Sequence, residues 1–119
     1  MEKVNLAQKL ASFDEFWSPK IVAELNGQYV KLAKLKGEFT WHQHEGEDEM
    51  FLVLKGRLTI QLEGGEVRLD EGEMAVIPAR TRHRPVAEEV CEVLLFEPRS
   101  TRNTGDVLDG FTVESPEWI

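Results

Sequence analysis

Gly37-Glu-Phe-Thr-Trp-His-Gln-His-Glu-Gly-Glu-Asp-Glu-Met-Phe-Leu-Val-Leu-Lys-Gly56 reads as a strand, a loop and a second strand. Within it one residue separates His42 from His44, and Glu49 lies five residues beyond His44. Side chains alternate across an extended chain, so residues i and i+2 leave the same face. His42 and His44 therefore offer two imidazoles to one point, and that point suits a metal ion. Glu49 opens the apolar run 50–54, where parity sets Glu49, Phe51 and Val53 on one face. Its place at the head of that run is what selects it over its acidic neighbours Glu45, Glu47 and Asp48.

A second stretch, Gly72-Glu-Met-Ala-Val-Ile-Pro-Ala-Arg-Thr-Arg-His83, supplies a further imidazole. The chain has only three histidines, and all three fall in these two stretches. His42, His44, Glu49 and His83 together form a donor set for a divalent transition metal (Fe, Mn, Zn, Ni, Cu or Co), not an oxygen cage for Ca or Mg.

The two stretches resemble the paired motifs of the cupin superfamily. Gly37, His42, His44, Glu49 and Gly56 follow the first motif, and Gly72, Pro78 and His83 the second. Arg80 stands where the family usually has Gly and Ala87 where it has Asn, and one residue fewer separates Gly37 from His42. The resemblance implies an all-β fold, a cupin-type antiparallel β-barrel or jelly roll with a short N-terminal helix, and a metal on the four residues above. It also implies a homodimer, because small cupins pair through a sheet edge and an N-terminal segment. Asn103-Thr104-Gly105-Asp106 is similar to the tail of small stand-alone cupins described by analogy with mannose-6-phosphate isomerase. That analogy assigns no reaction.

Local patterns support the fold class independently. Leu6, Leu10, Phe13 and Trp17 recur at helical spacing over 4–17, and Pro19 ends that segment. Runs 21–25 and 28–35 flank Asn26-Gly27, a type I′ hairpin signal. Further strands are expected at 39–44, 49–54, 57–62, 66–69, 74–77, 83–86 and 90–97, punctuated by Gly56, Gly64-Gly65 and Gly72. Many short strands without crossover helices argue a sandwich or barrel.

A chain of 119 residues is one domain's length. Its expected parts are an N-terminal helical segment (1–20), a barrel (21–98) and a tail (99–119) packing on the barrel or a partner subunit. A lid over the pocket is the alternative for the tail, whose apolar residues are Phe111, Val113, Trp118 and Ile119. The net charge of -8 disfavours nucleic acid and anionic membranes as partners. Cys91, the sole cysteine, excludes an intrachain disulfide, suits a reducing compartment and sits in an apolar run as an inert thiol. No signal-peptide core or membrane-length apolar segment is present, so a cytoplasmic location is expected.

Arg80, Arg82 and Arg84 alternate around His83. They are read either as a solvated surface pairing with Asp70, Glu71 or Glu73, or as placing one guanidinium at the pocket mouth. Trp41, on the opposite parity from the histidines, is expected to pack, while Phe51, Val53, Leu94 and Phe96 are candidates for the pocket wall. Three functions fit: a metal-dependent enzyme on a small polar substrate, of dioxygenase or isomerase/epimerase type; a module binding a small ligand, an anion among the candidates; or a structural metal. No separate catalytic acid or base stands out. A Ser-His-Asp hydrolase is disfavoured because every histidine is already a metal ligand.

Overall fold

The N-terminal apolar stripe folds as one helical turn followed by irregular chain. In the structure, a computed structural model that describes residues 1–119, α1 (Leu6–Leu10) is capped by Asn5, whose side chain accepts from the Gln8 N–H at 3.0 Å. Helical spacing predicts a helix continuing toward Trp17, but the helix stops at Ala11. The physical reason is tertiary: Lys34 donates to the Phe13 carbonyl at 2.7 Å, and the Trp17 N–H donates to the Lys34 carbonyl at 2.9 Å. Phe13 and Trp17 are still buried, so the stripe survives without the helix. Trp17 adopts a φ of 59°, a left-handed conformation that costs a bulky side chain on the order of 1–3 kcal/mol.

Eight strands follow: β1 (Lys20–Leu25), β2 (Gln28–Glu38), β3 (Glu49–Lys55), β4 (Leu58–Leu62), β5 (Gly65–Leu69), β6 (Met74–Ile77), β7 (His83–Pro98) and β8 (Glu117–Trp118). Asn26 and Gly27 both take positive φ, so β1 and β2 form the hairpin their sequence predicts. The sheet runs β5-β4-β7-β2-β1-β8, with β3 joining β7 and β6. It folds over its own interior as a β-sandwich and does not close into a ring, so the expected barrel is an open one.

Two expected strands, 83–86 and 90–97, are halves of the single strand β7. Glu88, Glu89 and Val90, at the join between them, are exposed, but the backbone stays extended through them. Buried positions keep odd parity on both sides, from His83, Pro85 and Ala87 to Cys91, Val93, Leu95 and Glu97. A bulge absorbs the difference, since Leu35 of β2 pairs with Cys91 but Gly37 pairs with Ala87. Gly56 passes directly over this bulge; a Cβ there would sit 2.7 Å from the Val90 carbonyl oxygen, and its φ is 86°. The expected strand 39–44 is likewise absent as a strand, leaving only a bridge between His42 and His83.

β7 is the spine. β2 lines one of its edges, while β4 and β3 share the other, pairing with its N-terminal and C-terminal halves. Inward residues of these strands, among them Leu35, Phe51, Val53, Leu58, Ile60, Val93 and Leu95, form the main core. Each such side chain contributes roughly 1.5–3 kcal/mol by leaving water. Leu10, Phe13, Val22 and Leu32 form a second cluster beneath the N-terminal segment. Cys91 lies within the main core, where burial and then Glu92 push its thiol up to about 12, so it is inert at neutral pH. The tail packs on the fold: Trp118 meets Tyr29 edge-on at 5.6 Å, and the Ile119 N–H donates to the Ile21 carbonyl. No helix is long and apolar enough to cross a membrane.

Candidate metal centre

The first and second sequence stretches meet at one backbone bridge. His42 and His83 exchange two N–H···O hydrogen bonds, of 3.0 and 2.9 Å, as an antiparallel hydrogen-bonded pair. Their side chains therefore project inward side by side, with ring centroids 4.3 Å apart. His44 follows two residues after His42 on the same face, and Glu49 enters from the start of β3 with inward parity. The structure brings all four residues together: one ligand atom from each lies within 4.8 Å of the others, and all four are buried.

Tautomers are set locally. The Nδ1 of His42 bonds the Thr40 carbonyl at 2.8 Å, and the Nδ1 of His83 bonds the Thr81 carbonyl at the same distance. A carbonyl only accepts, so each Nδ1 carries the proton and each Nε2 presents its lone pair to the centre. The Nε2 atoms of His44 and His83 both lie 3.5 Å from Glu49 Oε1. These three atoms are buried without a hydrogen-bond partner. Orphaned nitrogen and carboxylate atoms converging on one point are what a transition metal would satisfy, so the residues fit the ion that their donor chemistry implies.

The electrostatics agree with a ligand set in its binding form. Burial first, and then neighbouring His83, lower His42 from 6.5 to about 4, so it is neutral at neutral pH. Burial alone would raise Glu49, but the adjoining imidazoles of His44 and His83 and the carboxyl of Glu97 outweigh it and hold the Glu49 carboxyl well below the usual range.

Glu97 is the residue that sequence reasoning missed. Met50 pairs with Phe96, so the same register sets Glu49 opposite Glu97 on the inward face. Lys31, on inward parity in β2, donates to Glu97 Oε1 at 2.9 Å, and both side chains are 1% exposed. Burial and then the charge of Glu49 push Glu97 well above the usual range, with Lys31 opposing. The available signal was parity: Glu97 continues the series Cys91, Val93, Leu95.

A cavity opens beside His42 and Glu49, walled by Trp17, Phe39, Phe51, Leu95, Glu97 and Asn103 among others. Of the expected wall residues only Phe51 reaches it. Val53 is in the core, while Leu94 and Phe96 have the outward parity of β7. No arginine lines the cavity. Arg84 pairs with Glu38 and Gln61, not with the acids expected from sequence, and Arg82 and Arg84 lie over the Trp41 ring at 5.8 and 5.5 Å. Arg80 takes a φ of 63°, a left-handed conformation that favours glycine, and its N–H donates to the His44 carbonyl at 2.7 Å.

The tail clamps the His-x-His segment. Gln43 donates its N–H to Asp106 Oδ1 at 3.1 Å and accepts from the Asp106 N–H at 3.0 Å. Gly105 lies against the Gln43 backbone, and a Cβ there would also press within 3.1 Å of the His42 ring. Phe111, from the same tail, packs on Phe39 at 5.2 Å.

Two outcomes follow from this geometry. Gly105→Ala should weaken zinc binding by about 10- to 100-fold, the range seen when outer support of a ligand is lost; unchanged affinity by competition titration would refute the clamp. For the metal-free protein, His42 is protonated in the unfolded state below about pH 6.5 but in the folded state only below about 4. The unfolded state holds more protons in that window, so stability falls as pH is lowered through it. The urea midpoint in chelator should therefore drop between pH 6.5 and 4, and less steeply in His42→Asn; identical slopes would contradict the assignment.

The cupin domain profile (Cupin_2) matches residues 28–97. The chain is 39% identical over 64 residues to the uncharacterized protein YdbB of Bacillus subtilis, covering 53% of this chain and 57% of that one. It is 31% identical over 100 residues to the 3-hydroxyanthranilate 3,4-dioxygenase of Danio rerio, covering 81% of this chain and 34% of that enzyme. It thus spans less than two thirds of the length of either curated relative. Among solved structures, a cupin-2 domain containing protein from Shewanella frigidimarina superposes with a TM-score of 0.80 at 42% identity, over 81% of this chain and 94% of that one. The profile match takes in more than half of the sequence and all four residues of the candidate centre, and the chain belongs to the cupin family.

Proposed function

We propose that this cupin is a metal-dependent enzyme acting on a small polar substrate, of the dioxygenase or isomerase/epimerase type. The observation that carries the reading is the set of orphaned Nε2 and Oε1 atoms buried beside a cavity with an aromatic wall. A purely structural ion needs no such cavity. A divalent ion held by His42, His44, Glu49 and His83 supplies Lewis acidity, water activation or oxygen binding when bound. The protein's own part is to hold the ligands preformed, through the His42–His83 bridge and the tail, and to exclude bulk water with Trp17 and Phe39. Likeness to a 3-hydroxyanthranilate 3,4-dioxygenase supports the oxygenase branch.

The working form in this reading is a cytoplasmic homodimer. Met74 and Val76 are half-exposed on β6, a strand hydrogen-bonded only to β3, and a second copy of the chain covers such an edge. The sole cysteine is buried and inert, in keeping with a reducing compartment.

Chelator-treated protein reconstituted separately with Fe(II), Mn(II) and Zn(II) tests the enzyme reading. Oxygen uptake with small phenols and acids, and isomer formation with small sugars, should appear in at least one metal form and vanish in His83→Ala. Turnover in none of the forms, with the metal bound, would overturn it. Sedimentation should give a mass near twice the 13.6 kDa chain, and a monomer at all concentrations would refute the dimer.

A further inference from the structure

The candidate centre borders two spaces of opposite character. His42 and Glu49 face the cavity already described, which has room for about one water (about 30 Å³) behind Trp17, Phe39 and Phe51. Phe111 packs on Phe39 and edge-on against Trp17 at 6.3 Å, so the tail adds an apolar layer on that side. A hydrated divalent ion gives up water where oxygen or nitrogen atoms replace it, and an aromatic wall replaces none of it. His44 faces the other space, a groove of about 420 Å³ between the loop that follows it and the tail. None of the eight residues lining that groove is hydrophobic.

Glu45, Glu47, Asp106 and Glu114 bring four carboxylates to the groove, against the single guanidinium of Arg102. That guanidinium is turned to the backbone: its Nε and Nη2 donate to the Gly105 carbonyl at 2.9 and 2.6 Å, while Nη1 lies 3.6 Å from Glu114. Glu47 accepts from the Ser100 hydroxyl and Glu45 from the Gln43 amide, contacts that hold both carboxylates in place without neutralising them. An acidic surface alone names no ligand, and what singles this one out is His44. Its side chain is 2% exposed, and neither ring nitrogen has a hydrogen-bond partner. Nε2 lies 3.5 Å from Glu49 Oε1 in the centre, and Nδ1 is on the opposite edge of the ring. A buried imidazole with both nitrogens unmet, at the inner end of a carboxylate-lined groove, is a nitrogen donor in the path of a cation.

We propose that this groove is the loading route of the metal: Glu45, Glu47, Asp106 and Glu114 draw divalent cations in, and His44 is the first buried ligand they meet. The carboxylates replace part of the ion's water shell before the buried ligands complete the exchange. They are not resident ligands; as charges at the mouth of a cleft they act on the rate of capture. The assignment goes beyond the enzyme reading and does not depend on turnover. It rests on the four-residue centre alone.

Stopped-flow association of Zn(II) with the metal-free full chain, followed through a zinc-indicator dye, tests this at about 10 mM and about 1 M ionic strength, where the Debye length is about 30 and about 3 Å. Glu47→Gln with Glu114→Gln should slow association by about 5-fold or more at low salt and by less than about 2-fold at high salt, with one zinc bound per chain throughout. Both substitutions keep the shape of a surface side chain, so the urea midpoint should stay at the wild-type value. Glu66→Gln with Glu88→Gln removes the same charge from β5 and β7 and should leave the rate within about 2-fold of wild type. An unchanged rate in the first pair, equal slowing by the two pairs, or a second tightly held zinc that the first pair abolishes would each overturn the route. The zinc stoichiometry reports on the centre separately from the rates: wild-type protein that takes up no zinc overturns the centre and the route together, whereas one zinc with unaltered kinetics overturns the route only.

Discussion

The bridge between His42 and His83 is the contact on which the site depends. It joins a segment that has already left β2 to the first residue of β7, and its paired hydrogen bonds fix two imidazoles side by side. Everything else about the centre is placed relative to that pair. His44 follows by strand parity, and Glu49 arrives because β3 pairs with the far half of the same strand β7. One long strand thus carries His83 at one end and sets the register of Glu49 at the other. The bulge at Glu88 to Val90 lets β7 serve both halves, and Gly56 is the residue small enough to pass it.

Around that frame the interior is unusually charged for so small a core. Lys31, Glu49 and Glu97 are all nearly inaccessible, and the three histidines are buried beside them. Burial of this kind is tolerated only when the charges are paired or ligate something. Lys31 pairs with Glu97, while the free atoms of His44, His83 and Glu49 converge on one point. The apolar wall of Trp17 and Phe39 lowers the local dielectric, which strengthens every polar interaction inside it.

Much of this was legible in the sequence, for definable reasons. Strand parity placed His42 and His44 on one face and Glu49 on the face of Phe51 and Val53, and Asn26-Gly27 marked the first hairpin through its positive-φ requirement. Long-range effects were not legible. The apolar stripe from Leu6 to Trp17 has helical period, but backbone bonds from Lys34 hold its second half out of a helix. The expected strands 83–86 and 90–97 left a gap around Glu88, although the chain stays extended there. Glu97 looked like the end of a strand, and only the inward parity of Leu95, settled by pairing with β2 and β3, turns it toward the cavity. The arginines around His83 lie toward the surface, but the partners of Arg82 and Arg84, Trp41 and Glu38, are distant in sequence.

The most direct test of the account is X-ray absorption at the metal edge of protein loaded with one equivalent of zinc. The geometry predicts three imidazole ligands and a carboxylate oxygen, with nitrogen and oxygen scatterers at about 2.0–2.2 Å and no sulfur. Fewer than three imidazoles, a sulfur shell from Cys91, or protein that takes up no zinc would contradict it.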